Sequence, residues 1–559
     1  MKRAVLLLPM LTVLVAGCGK NRASASGSGV VAAAPQTPPA APERAKVTID
    51  ATRVLRLVSP LLFGMHIEWV ENGNGLLEAD RPALRSEVLE LLQPLRVPAF
   101  RFPGGIHADY YDWSLGIAGP NHRGSSRNAF NGQSLEHRFG TPELVALLEK
   151  TGAEAVLTAN YGTGSAEQAS AWAKHLRSLG ARARLWEVGN EIYLTGPREG
   201  GPNGKAIYRR PEEYAKDFPR YRSALRAVFP DALVGAIGHL DTGAFPLAPE
   251  ESRDWTVRML ESLEGPVDFL AVHNAYAPVI LDDSASFADE RARGEVYRSL
   301  YAGAAETREN LDQVLETLAR LSPANANVPL AVTEFGPLFG VSSRRDQHAI
   351  YVDQSRTLAA ALYVASLLDV FLGEPRIFLA CYTNPIHRWY GSLLTDTEAG
   401  LVRTPTYHLY SLYRSRFEPG LLSTVVTSPT FDARANGIVK AHSGLPDLLA
   451  RASLSADGSR LTALLVNRSL DRPLRTAVSM AGFAPRSTDC LLLTAPSPAS
   501  INGPGLTTTT RTGGEEIAPR PWPCPAGNPL EVEIPPNAIL SLVAEQAPAR
   551  TTSVAPPRK

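Results

Sequence analysis

Between Leu61 and about Tyr413, short apolar runs alternate with longer amphipathic stretches, and this alternation restricts the possible folds more than any other feature of the chain. The runs are Leu61 to Ile67, Val97 to Phe102, Ala155 to Tyr161, Ala183 to Val188, Leu233 to Ile237, Val267 to Val272, Pro329 to Thr333 and Arg376 to Tyr382. Each is too short for an ordinary helix, and most end at Gly, Asn, Glu or His, where strands pass into loops. Helical spacing marks the stretches Pro142 to Gly152, Ala166 to Leu179, Pro211 to Phe229, Arg253 to Leu263, Ala302 to Leu321 and Asp346 to Leu372. The first of these has Thr141 as its expected cap and Pro142 in its first turn. Strands that are apolar throughout are buried on both faces, as in a parallel sheet covered by helices. Eight of them in βα order favour a closed (β/α)8 TIM barrel, an α/β architecture, over an open sheet.

After about Glu418 the pattern changes to short strands separated by turn residues, such as Leu461 to Asn467 and Ala538 to Val543, which reads as an additional all-β sandwich domain. Lys46 to Asp50 and Val54 to Leu57 alternate in the same way but precede the barrel, so they are expected to join that sandwich. The expected organisation is N-terminal strands over 46–58, a catalytic barrel over 59–417, a sandwich over 418–546 and a disordered tail over 547–559. A chain of 559 residues, 44% of them hydrophobic, can fill the cores of one large and one smaller domain.

Lys2 and Arg3 precede an apolar stretch from Ala4 to Val15 that ends in Val15-Ala16-Gly17-Cys18. The stretch is too short to span a bilayer and has the layout of a secretory signal. It resembles a bacterial lipoprotein signal over 1–18, which implies lipidation of Cys18 and an exported protein anchored to the bacterial cell envelope. Residues 19–45, rich in Ala, Pro and Ser, would be a disordered tether. Lys+Arg and Asp+Glu balance at 56 each, so no net field draws in nucleic acid, and no nucleic-acid partner is expected. Of the remaining cysteines, Cys490 and Cys524 could pair, and Cys381 reads as a small buried hydrophobe. No cysteine spacing suits zinc. His66, His107, His122, His137, His239, His348, His387 and His408 form neither a His-x-His pair nor a His-Glu-x-x-His pattern, so each reads as a hydrogen-bonded loop or core residue and no metal is expected. Gly162-Thr163-Gly164 is too short a match for a dinucleotide loop, and no cofactor is expected.

In a barrel of this kind the loops after the strands converge on one pocket. Glu191 follows the fourth candidate strand, in Trp186-Glu187-Val188-Gly189-Asn190-Glu191, and Glu334 ends the seventh, in Ala331-Val332-Thr333-Glu334. Strands four and seven face each other across the mouth, where two carboxylates can bracket a glycosidic bond. Either Glu alone reads as a solvated loop residue. The pair, with Asn190 beside it and Tyr193, His273, Tyr276, Tyr382 and Trp389 near strand ends, points to sugar chemistry, since aromatic faces stack on sugar rings and Asn or His bonds hydroxyls. Trp186, inside its strand, reads as core.

These residues resemble the acid/base and nucleophile of the clan of retaining (β/α)8 glycosidases, and within it the bacterial α-L-arabinofuranosidases that carry a C-terminal β-sandwich. Phe63-Gly64-Met65-His66-Ile67-Glu68 is similar to the family's first strand, whose terminal Glu binds the sugar. Arg101-Phe102-Pro103-Gly104-Gly105 with Tyr111-Asp112-Trp113 is similar to its second strand and following loop, Asn160-Tyr161-Gly162-Thr163-Gly164 to its third, and Thr404-Pro405-Thr406-Tyr407-His408 to the passage into the sandwich. The resemblance implies Glu191 as acid/base and Glu334 as nucleophile, about 5 to 5.5 Å apart. It implies Asn190 on the 2-hydroxyl, and Glu68, Arg101, Asn160, His273, Tyr276, Asn384 and Trp389 around the pocket. Ile106 departs from it, because the family usually has Asn after the double glycine.

The implied activity is removal of α-L-arabinofuranosyl residues from a carbohydrate substrate, with possible homo-oligomers. An endo-β-glycanase or a β-glycosidase of the xylosidase or glucuronidase type would keep the mechanism and change the sugar. A surface lipoprotein binding polysaccharide without catalysis is a third reading, against which the presence of both glutamates speaks.

Overall fold

The computed structural model describes residues 43–546 apart from 120–121, 128–132, 194–208, 239–253, 274, 277–278, 281–288, 322–324, 338, 341–349, 351, 388–390, 399, 437–438, 507–509 and 513–515. Each expected apolar run overlaps a barrel strand: Gly64–His66, Ala99–Phe102, Glu154–Ala159, Leu185–Val188, Leu233–Ile237, Leu270–Val272, Leu330–Gly336 and Ile377–Thr383, hereafter barrel strands one to eight. All neighbours pair in parallel, and the pairing of Cys381 in strand eight with Gly64 in strand one closes the ring.

Burial on both faces explains why no in–out alternation is visible in these strands. Ala99, Val156, Leu185, Ala271, Ala331, Leu379 and Cys381 form an apolar cluster of their own, which is the barrel interior. Their neighbours Phe100, Leu157, Trp186, Leu270, Val332 and Ala380 belong instead to the larger core shared with the helices. Cys381 is fully buried, and burial pushes its thiol well above the ordinary range, as suits an inert packing residue.

The helices follow the expected stretches with differences at their ends. Thr141–Thr151 is capped by the Glu143 carboxylate, which accepts the Gly140 N–H at 2.8 Å. The Thr141 hydroxyl, the expected cap, accepts the Trp172 indole N–H at 3.0 Å instead. Ala166–Ser178 begins behind Ser165, which accepts from the Gln168 N–H at 3.2 Å. Pro211–Arg226 and Trp255–Ser262 fall within the stretches expected for them, whereas Glu290–Leu321 starts well before Ala302, and Leu358–Gly373 starts behind a Thr357 cap rather than at Asp346. This last helix is apolar almost all round because it packs against other helices of the barrel and against the C-terminal sheet.

The C-terminal domain is all-β, as expected, with nine of the described strands in one continuous sheet. Its order is Arg520–Pro521, Ser487–Thr494, Ala538–Glu545, Arg460–Asn467, Leu448–Leu454, Gly420–Thr427, Glu43–Leu57, Leu474–Ala481 and Leu530–Ile534. Leu492 near one edge and Val532 at the other belong to a single apolar cluster, so the sheet curls over its own core. Val47 of the first strand pairs antiparallel with Val426 and parallel with Val478, which makes the N-terminal strand an interior member of this domain. Cys490 and Cys524 are joined in a disulfide.

Glu306, on helix Glu290–Leu321, holds the barrel to the C-terminal domain. Its carboxylate lies 2.9 Å from Lys440 Nζ and 3.1 Å from His442 Nε2. Burial raises its proton affinity, but the bonds from Lys440 and His442 outweigh burial and lower the pKa. A folded value below the unfolded one means that the stabilisation is complete above about pH 5 and is lost as the pH falls through the lowered value. Glu306→Gln is therefore expected to cost about 1–3 kcal/mol near neutrality and to converge with the wild type on acidification, in thermal unfolding followed across pH.

Candidate active site

Two residues beyond the apolar layer of the barrel interior, the same inward-facing positions turn polar. Gly64 gives way to His66, Ala99 to Arg101, Val156 to Thr158, Leu185 to Glu187, Ala271 to His273 and Ala331 to Thr333. The period of two along each strand puts these side chains in one layer at the carboxyl ends of the strands. All six are buried.

Arg101 is the hub of this layer. Its Nε donates to Glu187 at 2.6 Å, Nη1 lies 2.8 Å from His66 Nδ1 and 3.1 Å from Glu334 Oε2, and Nη2 donates to Asn190 Oδ1 at 2.6 Å. Burying a guanidinium is costly unless its donors are met, and here carboxylates, an amide and a ring nitrogen meet them. Burial would lower its pKa, yet the carboxylates of Glu187 and Glu334 raise it further than burial lowers it. Burial is the largest single influence on Glu187 and raises its pKa, but Arg101, His273 and the Thr158 and Thr333 hydroxyls together outweigh it, so its net shift is downward. Because Arg101 donates to His66 Nδ1, that nitrogen is the ring's acceptor and the proton sits on Nε2, 3.6 Å from Glu68 Oε1.

Above this floor stand three slightly exposed carboxyls, those of Glu68, Glu191 and Glu334. His273 Nδ1 lies 3.0 Å from Glu191 Oε1 and 3.9 Å from Glu334 Oε2, while its Nε2 lies 3.0 Å from the Thr333 hydroxyl. The two carboxyl oxygens are therefore no farther apart than the sum of the two Nδ1 distances, which lies below most of the ~6.5–9.5 Å span of inverting glycosidases and admits the ~5–5.5 Å of retaining ones. The Glu68 carboxylate meets His107 Nδ1 at 3.2 Å and His66 on its other side. Burial alone would raise its pKa, but the hydrogen bonds from His107 and His66 hold it well below the usual carboxylate range. Gly105 is required by this approach, since it has φ 61° and a Cβ there would stand 2.5 Å from Glu68 Oε1.

The chain leaving strand one takes an unusual path. Glu71, Asn72, Gly73 and Asn74 all have left-handed backbone angles, with φ of 51°, 60°, 67° and 55°. Such a conformation costs roughly 1–2 kcal/mol for each residue that carries a Cβ, less for Asn, and persists only where neighbours fix it.

The other candidate residues fall into distinct groups. Asn190 is buried and spends only its oxygen on Arg101; its Nδ2 has no partner among the described residues and remains available for a hydroxyl. Asn384, at the end of strand eight, is buried with its backbone N–H on the His66 carbonyl at 3.2 Å, and its Oδ1 has no partner among the described residues. Asn160 is a correction. Its side chain is consumed by its own loop and the loop after strand two, donating to the Tyr111 carbonyl at 3.0 Å and Thr163 Oγ1 at 2.9 Å while accepting from the Thr163 and Gly164 N–H groups, so it ties these two loops together rather than serving the pocket. Tyr276 pairs through its backbone beside Gly336, and its side chain lies outside the described residues, as do Trp389 and Cys18. Tyr193 packs on Trp255 and Tyr382 on Phe335, each at 5.6 Å, as core residues, and Trp186 is fully buried as expected of core. The sequence reading passed over His66, His107, Thr158, Glu187 and Thr333. The signal that marks most of them is a polar residue two positions after an apolar one near the end of a buried strand.

Two family models match the chain: Alpha-L-arabinofuranosidase 1 domain over residues 91–183 and Alpha-L-arabinofuranosidase C-terminal domain over residues 339–536. An intracellular exo-alpha-(1->5)-L-arabinofuranosidase of Streptomyces lividans is 25% identical over 78% of this chain and 66% of its own length. An intracellular exo-alpha-L-arabinofuranosidase of Bacteroides ovatus is 24% identical over 75% of this chain and 80% of its own. The crystal structure of the GH51 arabinofuranosidase from Xanthomonas axonopodis pv. citri superposes with a TM-score of 0.72 at 22% identity, covering 90% of this chain and 100% of that one. The relatives correct the expected localisation: both are named intracellular, which runs against the expectation of an exported lipoprotein anchored at Cys18. Among the described residues no helix is long and apolar enough to cross a membrane.

Proposed function

We propose that this chain, a retaining (β/α)8 glycoside hydrolase of the α-L-arabinofuranosidase type, removes terminal α-L-arabinofuranosyl residues from oligosaccharides by double displacement. The observation that carries the reading is the sharing of one imidazole nitrogen, His273 Nδ1, by the carboxyls of Glu191 at 3.0 Å and Glu334 at 3.9 Å. That spacing leaves room for one anomeric carbon between the two groups.

In this reading Glu191 gives its proton to the glycosidic oxygen while Glu334 attacks the anomeric carbon; the bond to the leaving group breaks and an ester to Glu334 forms. Glu191, now a carboxylate, takes a proton from water, whose oxygen attacks the same carbon and frees Glu334. Two displacements at one centre restore its configuration. Arg101 orients Glu334 and, through Asn190 Oδ1, turns the Asn190 amide donor toward the sugar's 2-hydroxyl. Glu68, acceptor-only on its two histidine partners, receives other hydroxyl protons of the ring.

The test is a panel of chromogenic α-L-arabinofuranosides, β-xylosides, β-glucosides and β-glucuronides, with the anomer first released followed by NMR. The α-L-arabinofuranoside is expected to give the highest kcat/KM, and its initial product the retained configuration. Faster hydrolysis of a β-xyloside or a β-glucan, or an initially inverted product, would replace this assignment with another activity of the same barrel type.

A further inference from the structure

We propose that the left-handed turn Glu71–Asn74 is the positioning element for Glu68, acting through the Asn74 side chain; the inference rests on the reading of Glu68 as a sugar-contacting carboxylate. A run of left-handed residues that carry side chains is not a conformation the chain adopts unaided. Here each of the four is fixed by a different part of the molecule. Glu71 Oε2 lies 3.3 Å from Nε2 of His387, beyond strand eight. Asn72 Oδ1 accepts from Arg138 at 2.9 Å. Gly73 lies against the Phe139 ring, where a Cβ would collide with the ring. Asn74 is buried, and its Oδ1 reaches back to accept the Glu68 N–H at 2.6 Å.

Glu68 is thus gripped at both ends, its backbone by Asn74 and its carboxylate by His107 at 3.2 Å. Without the Asn74 oxygen, the residue would be tethered at its tip alone, where substrate hydroxyls compete for the same carboxylate. Strain that is over-determined by its surroundings and sits beside a functional group is a device for holding that group in one place. Asn74 has no part in the bond changes; its effect passes through Glu68.

The experiment uses the full-length protein and the variants Asn74→Gly, Asn74→Asp, Glu68→Ala and Glu68→Ala/Asn74→Gly. Gly tolerates the left-handed backbone while removing the acceptor, and Asp keeps an oxygen in place. Hydrogen exchange read by mass spectrometry on peptides spanning 66–76 is expected to accelerate in Asn74→Gly and to return to the wild-type rate in Asn74→Asp. On a chromogenic α-L-arabinofuranoside, Asn74→Gly is expected to lose about 10-fold in kcat/KM, chiefly through KM, and Asn74→Asp to recover most of it. Added to Glu68→Ala, the Asn74→Gly change is expected to have no further effect, because the two act as one unit. Wild-type exchange in Asn74→Gly, or losses that multiply in the double variant, would overturn the proposal. The exchange measurement decides the positioning role independently of substrate, so a wild type inactive on arabinofuranosides would refute the functional reading without touching this one.

Discussion

Glu334→Ala is expected to lower kcat by about 10⁴-fold or more on every substrate, because no other group can form the glycosyl ester. The fold should survive the change: Arg101 keeps Glu187, Asn190 and His66 as partners, so its buried charge stays compensated when Glu334 is removed. The Ala side chain leaves a space next to the anomeric carbon. Azide is expected to enter it and attack in place of the carboxylate, giving a glycosyl azide of inverted configuration with an activated aryl glycoside. Circular dichroism and thermal unfolding separate loss of chemistry from loss of structure. A folded Glu334→Ala protein that keeps more than about a tenth of wild-type kcat would end the assignment of this residue as nucleophile.

Glu191→Ala should behave differently. For leaving groups that need protonation, kcat is expected to fall about 10²–10⁴-fold, the usual contribution of a positioned general acid. An activated leaving group such as dinitrophenolate departs without a proton, so formation of the glycosyl ester is largely spared. Its hydrolysis is not, since no base remains to take the proton from water. The ester should accumulate, visible as a burst of phenolate and as a mass increment on the protein, and KM should fall with kcat. Azide is here expected to attack the accumulated ester and give a product of retained configuration, the opposite of the Glu334→Ala result. Two variants that lose activity equally on all leaving groups, with no contrast in azide stereochemistry, would mean that the two carboxyls do not divide the work in this way.

Much of the barrel was legible because its strands are buried on both faces. Burial leaves short uninterrupted apolar runs such as Val97 to Phe102 and Ala183 to Val188, and a chain this regular has few alternatives to a closed ring. The catalytic candidates were legible only as a pair: either Glu alone would pass for a solvated loop residue, but Glu191 and Glu334 follow runs four and seven, which a closed ring sets across one mouth. The histidines were harder. His107 carries no spacing signal, and what it and His66 do is set by Glu68 and Arg101, which meet them through the pairing of strands one and two. Asn160 misled in the opposite sense: a polar residue after strand three looked like a sugar ligand, while three of its four hydrogen bonds stay inside its loop and the fourth goes to the neighbouring loop at Tyr111. The strand order of the C-terminal domain was not legible either, because inward alternation along a strand is the same whichever strand lies beside it. Glu71-Asn72-Gly73-Asn74 did carry a hint, as Asn and Gly are the residues that tolerate left-handed backbone, but nothing local distinguishes such a turn from an ordinary loop.

The placement of Glu43–Leu57 inside the C-terminal sheet has a consequence for biosynthesis. Lys46 leaves the ribosome long before Thr427 and Ala477, the residues it pairs with. Until then its apolar positions Val47 and Ile49 have no partner strand on either side. The intervening chain can fold into its ring first, and the cost of closing so long a connection grows only slowly with its length. The early strand is therefore the natural target for a holding chaperone during translation, and completion of the last domain is the step that releases it.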